Sequence, residues 1–178
     1  MSSFDTAGNN AQVNAELYHS FFRAGSENLL TDKSSLVTFD NETKEIKRTI
    51  KATQVVDCIV IALWGITKEG KSFISLVHKS GRSYVEQLIT EFKTQIEGAQ
   101  LSYLVIPGSE SGDSSIKRTK EECEKLFSKN EKSDLVPELS IIKHNNRYDK
   151  SSVAIRGTQN NVPPQILVVR PNVGDLPY

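Results

Sequence analysis

The run Val55-Val56-Asp57-Cys58-Ile59-Val60-Ile61-Ala62-Leu63-Trp64 constrains this chain more than any other stretch. It is apolar apart from Asp57, rich in β-branched residues, and far shorter than the roughly 20 residues needed to span a bilayer. A run of this kind predicts a strand over 56–64 that is buried on both faces. A turn at Lys68-Glu69-Gly70 follows, and 72–78 reads as a second strand. Strand alternation sets Phe73, Ser75 and Val77 on one side and Ile74, Leu76 and His78 on the other. Two strands joined by so short a turn pair as an antiparallel hairpin. Arms of equal length about residue 68 place Cys58 opposite His78, so a thiol and an imidazole become cross-strand neighbours.

The rest of the chain supplies both helices and strands. Val13, Leu17, Phe21 and Ala24 recur at helical spacing, which predicts a short amphipathic helix over 11–23 stopped at Gly25. Segments 35–40 and 45–50 flank the polar Asn41-Glu42-Thr43-Lys44 and read as a hairpin. Ser83 caps a predicted helix over 84–97, where Tyr84, Val85, Leu88, Ile89, Phe92 and Ile96 form an apolar stripe. A strand over 101–106, a helix over 115–129, and strands over 138–143, 151–157 and 165–170 complete the reading. This order predicts a mixed α/β fold, its sheets largely antiparallel or sandwiched and flanked by helices. Residues 1–34 read as an N-terminal extension with a short helix, and 35–178 as a single domain.

Composition narrows the class of function. Lys plus Arg and Asp plus Glu each number 22 among 178 residues, so the formal net charge is zero. Nothing in that balance draws the chain to nucleic acid or anionic lipid. The N-terminal residues MSSFDTAGNNAQ contain no basic region followed by an apolar stretch, so no Sec-type signal is expected. The expected setting is cytoplasmic, or secreted by a signal-independent route. Two cysteines cannot build a disulfide framework, and His19, His78 and His144 are too dispersed for a metal-ligand spacing. No cofactor and no metal are expected.

Cys58 has two readings. A cysteine in an apolar strand is most often a small core hydrophobe. A thiol beside an imidazole is instead a nucleophile with its base, and the spacing to His78 raises that reading to parity. A third group would orient the imidazole; Thr53 and Gln54 are the nearest polar candidates, whereas Asp57 points to the other face. His19 and Cys123 read as packing residues, and His144 as an exposed loop residue. The loop Pro107-Gly108-Ser109-Glu110-Ser111-Gly112 precedes a helix, yet lacks the lysine and spacing of a P-loop.

The segment TQVVDCIVIALWG followed by KSFISLVHKSG resembles the nucleophile and histidine strands of the chemoreceptor glutamine deamidases, whose catalytic fold is shared by cytotoxic necrotizing factor-type toxin domains. The resemblance covers about residues 50–170 and lies in the order of elements. It implies a fold in which a cysteine opens a buried strand and a histidine follows on its neighbour. It implies that Cys58 is the nucleophile, His78 the base and Thr53 the family's catalytic threonine. The chain departs from the family in one place: the approach is Val56-Asp57-Cys58 where the family has Gly-Ser-Cys. Main-chain N–H groups near the sulfur form the oxyanion site in such enzymes, so the departure bears directly on catalysis. It favours a diverged effector or toxin over a chemotaxis enzyme. The activity implied is hydrolysis of a glutamine side chain on a partner protein, without cofactor. The alternatives are a non-catalytic protein-binding module on the same fold, or another Cys-His hydrolase or transglutaminase-like enzyme.

Overall fold

A computed structural model describes residues 7–144 and 150–171, with the side chains of 7–13 and of His144 excepted. The chain is mixed α/β, built on two mostly antiparallel sheets. One sheet has the order β1-β3-β8-β9-β7, from strands Glu27–Asn28, Thr49–Val55, Ser151–Arg156, Gln165–Pro171 and Glu138–His144. The other has the order β2-β5-β4-β6, from Lys33–Phe39, Ser72–Lys79, Ile59–Ile66 and Gln100–Pro107. Among the described residues, only β1 with β3 and β7 with β9 pair in parallel.

Alternation along the strands produces four layers. Val60, Ala62, Trp64, Ile74 and Leu76 face inward and meet Ile50, Ala52, Val153, Ile155, Ile166 and Val168 of the other sheet. Their neighbours Ile61, Leu63, Phe73 and Val77 face outward and pack beneath helices α2 (Val85–Leu88), α3 (Lys93–Ile96) and α4 (Asp113–Phe127). Helix α1 (Ala7–Phe21) covers the far side of the five-stranded sheet, where Phe21 joins Ile142, Ala154, Leu167 and Val169. The burial of β4 and β5 on both faces follows from this central position. Among the described residues, no helix is long and apolar enough to cross a membrane.

Several sequence expectations need correction. The segments 35–40 and 45–50 do not form a hairpin. β2 pairs with β5, while Glu45–Arg48 is a 3-10 turn that carries the chain to β3 in the other sheet. The polar stretch between them is spent on an Asp40 turn, whose carboxylate accepts from the N–H groups of Glu42 and Thr43. The predicted helix over 84–97 is broken. Ile89 leaves helical backbone, and the Thr90 hydroxyl takes the Glu86 carbonyl, so two four-residue helices flank a 3-10 turn. The apolar stripe survives the break, with Val85, Ile89, Phe92 and Ile96 all buried. Residues 34 and 35 both lie in β2, and β1 and α1 pack on the five-stranded sheet. Arg156 helps fix α1 there, lying 4.0 Å over the Phe21 ring and bonding Ser20.

Candidate active site around Cys58 and His78

The hairpin that carries both residues is present, with a shifted register. Thr67 and Lys71 close the turn with a 2.7 Å bond, and Val60, not Cys58, sits opposite His78. Cys58 lies one residue before β4 and not within a strand. Because side chains repeat every second residue, Cys58 keeps the face of Val60, and His78 keeps that of Leu76. Both therefore occupy the inner face, at the same end of the sandwich, diagonal to each other. Both are buried, at 8% and 2% exposure.

His78 is held by a segment the sequence reading left in the N-terminal extension. Its Nδ1 lies 3.0 Å from the Leu29 carbonyl oxygen. A carbonyl only accepts, so the proton of this bond sits on Nδ1. The other nitrogen, Nε2, is buried and has no hydrogen-bond partner among the described residues. The main-chain N–H of Asp32 donates to the His78 carbonyl at 2.6 Å, so residues 29–32 close over the end of β5. The orienting group is thus a backbone oxygen, which residue type does not announce.

Cys58 is fixed from the opposite side. Its carbonyl accepts from the Gly108 N–H at 3.0 Å and from the Ser111 hydroxyl at 2.7 Å. Ser109 and Glu110 donate their N–H groups to Val55 and Val56. A Cβ on Gly108 would stand 2.3 Å from the Val56 oxygen and 2.8 Å from that of Cys58, so only glycine permits this approach. The loop after β6 thus latches the entry to β4.

The thiol itself has two polar neighbours, Thr31 Oγ1 at 3.9 Å and Asp57 Oδ1 at 3.8 Å, and no hydrogen bond joins it to His78. Burial pushes the thiol above its ordinary value of 9.0; the Thr31 hydroxyl pulls against this, and the carboxylates of Asp57 and Asp32 add to the rise. Lys79 lends no charge to the sulfur. It points to the outer face, where it is fully buried near Glu122 and Cys123. Burial there, with Glu122 beside it, pushes the Cys123 thiol up to about 12, as suits a core residue.

Thr53 is not brought to His78. It lies on the opposite face of β3 from Ala52, with its hydroxyl 3.5 Å from Asn28. Gln54 is exposed and adopts φ 58° at the irregularity in that strand. His19 is exposed and makes an edge contact with Tyr18, while the side chain of His144 lies outside the described residues. A cleft of about 900 Å³ between α2–α3 and α4 is on the outer face and is not lined by Cys58.

No family model matches the chain. No curated protein matches it either.

Proposed function

We propose that this chain is a cysteine hydrolase acting on a carboxamide, with Cys58 as nucleophile and His78 as acid-base. The reaction is conversion of a glutamine side chain of a partner protein to glutamate. One observation carries the reading. A buried imidazole has Nδ1 committed to the Leu29 carbonyl and Nε2 without a partner among the described residues, on the face and at the sheet end that hold the Cys58 thiol. A satisfied core histidine would have both nitrogens bonded.

In this reading the sulfur attacks the carboxamide carbon as its proton passes to Nε2. The tetrahedral intermediate collapses, the C–N bond breaks, and ammonia leaves with the proton from Nε2. Water then adds to the thioester with His78 as base, and glutamate is released as the thiol reforms. The thiol turns from Thr31 and Asp57 toward Nε2 for the first step. No cofactor enters the scheme.

A second reading, a protein-binding module that has kept the fold and lost the chemistry, is favoured by the raised pKa of Cys58 between two carboxylates. One experiment separates the two. Cell lysates are incubated with the wild-type chain, Cys58→Ala or His78→Gln, and intact masses are read alongside released ammonia. Deamidation appears as a gain of about 1 Da on a target, since a hydroxyl replaces the amide –NH2, and each glutamine turned to glutamate also adds one negative charge at neutral pH. A shift that needs both residues supports the hydrolase. No shift in any lysate, with an alkylation-resistant Cys58, selects the binding module.

A further inference from the structure

Asp32 occupies an unusual position. Its φ of 61° is a left-handed conformation that Asp and Asn tolerate and most residues do not. Its carboxylate accepts three hydrogen bonds, from the Ser80 N–H at 2.9 Å, the Ser80 hydroxyl at 3.0 Å and the Ser83 hydroxyl at 2.6 Å. Its own N–H donates to the His78 carbonyl. The turn that begins at Leu29 is therefore pinned at both ends. The Leu29 N–H bonds the Lys51 carbonyl at 2.8 Å and its side chain is buried in the core, while Asp32 grips the chain just beyond His78. Between these pins the Leu29 carbonyl oxygen lies 3.0 Å from His78 Nδ1.

We propose that Asp32 is a positioning residue for His78: by clamping the Leu29–Asp32 turn to Ser80 and Ser83, it holds the Leu29 carbonyl on Nδ1 and so keeps Nε2 as the nitrogen open to the Cys58 proton. The proposal rests on the reading of Cys58 and His78 as a nucleophile and its base. A carboxylate usually orients a catalytic imidazole by touching it. Here the carboxylate acts through a backbone carbonyl. The exposed side chain of Asp32 makes the device accessible to mutation without opening the core.

The test uses the full chain, labelled with ¹⁵N, and two readouts. Imidazole nitrogen resonances report the tautomer of His78. The rate of Cys58 alkylation by iodoacetamide at neutral pH, read by peptide mass, reports the pair. Wild type shows one tautomer with the proton on Nδ1. Asp32→Asn, which keeps the shape but loses the charge and an acceptor, gives a mixture of tautomers. Because the Asp32 charge also raises the Cys58 thiol, its loss alone would speed alkylation, so for this variant the tautomer is the readout. Ser83→Ala, which leaves Asp32, its charge and its backbone in place, gives a smaller share of the second tautomer and slows alkylation by about two- to tenfold, a fraction of the roughly 10²–10⁴ that a placed acid-base group contributes. His78→Gln sets the floor. If both variants keep the single Nδ1-protonated form and Ser83→Ala keeps wild-type alkylation while His78→Gln slows it, the clamp is overturned and the pair stands. If His78→Gln alkylates like wild type, the pair is overturned and the tautomer readout alone still decides whether Asp32 orients the ring.

Discussion

The sulfur of Cys58 has a hydroxyl on one side and a carboxylate on the other, and the two act in opposite directions. Removing each in turn gives a prediction of opposite sign. Thr31→Val slows alkylation of Cys58 at a given pH because the thiolate loses its donor. Asp57→Asn speeds it because a negative neighbour is gone. Each change is worth about two- to tenfold, the range of one hydrogen bond or one nearby charge. In the wild type, alkylation rises with pH through a midpoint above 9.0, since the folded state favours the thiol. A midpoint below that value would point to a cation near the sulfur. At this scale the sequence was half legible. The identity of Cys58 and His78 and their shared face follow from period-two alternation. Leu29, Thr31 and Asp32 do not, because a backbone carbonyl and a left-handed turn carry no signal in residue type or periodicity. Gly108 and Ser111 left a trace in the polar loop before α4, but nothing local tied that loop to residues 55–58.

Among the elements, the loop from Pro107 to Ser111 does more than connect β6 to α4. It spans the entry to β4 with contacts to Val55, Val56 and Cys58. Gly108→Ala forces a methyl against two carbonyl oxygens, so the entry must shift. The expected cost is about 1–3 kcal/mol in a denaturant melt. Any Cys58-dependent rate should fall further than stability alone accounts for. A melt within about 0.3 kcal/mol of wild type would show that the latch yields freely. The central hairpin was predictable because its strands are apolar on both faces and its turn holds Gly70. Its register slipped in the reading because the turn centres one residue later, where Thr67 and Lys71 close it. The segments near 40–48 misled for a different reason. Polar residues between two short apolar runs look the same whether the chain turns back or crosses to another sheet.

For the whole molecule, the layered burial of Cys123 has a measurable consequence. Its thiol is neutral in the fold up to about 12, whereas in the unfolded chain it ionises near 9.0. A group whose folded value is raised contributes fully below the unfolded value, and that contribution drains away as pH climbs through the folded one. Stability should therefore decline between about pH 9 and 12, by at most about 4 kcal/mol from this residue. Cys123→Ala removes that share of the alkaline slope while lowering stability at neutral pH by the cavity it leaves. Parallel slopes for the two proteins in urea melts across this range would refute the assignment. The two-sheet, helix-flanked plan itself was legible from the order of apolar runs. The partition of strands between sheets was not, since it depends on pairings distant in sequence.

The clamp over His78 and the latch over Cys58 come from residues that flank the hairpin in sequence, and the clamp can be made once Ser83 is present, the latch only once Ser111 is. During synthesis the ribosome releases the thiol and the imidazole early, as a local hairpin. The loop that seats the thiol emerges only later. The strands of the five-stranded sheet beyond it, β7 to β9, emerge last. A growing chain thus brings the Cys58 thiol and the His78 imidazole together on one hairpin before the loop that seats the thiol is made. The same order holds for a chain threaded unfolded, N-terminus first, through a pore, where the thiol is seated only once residues 107–111 have followed.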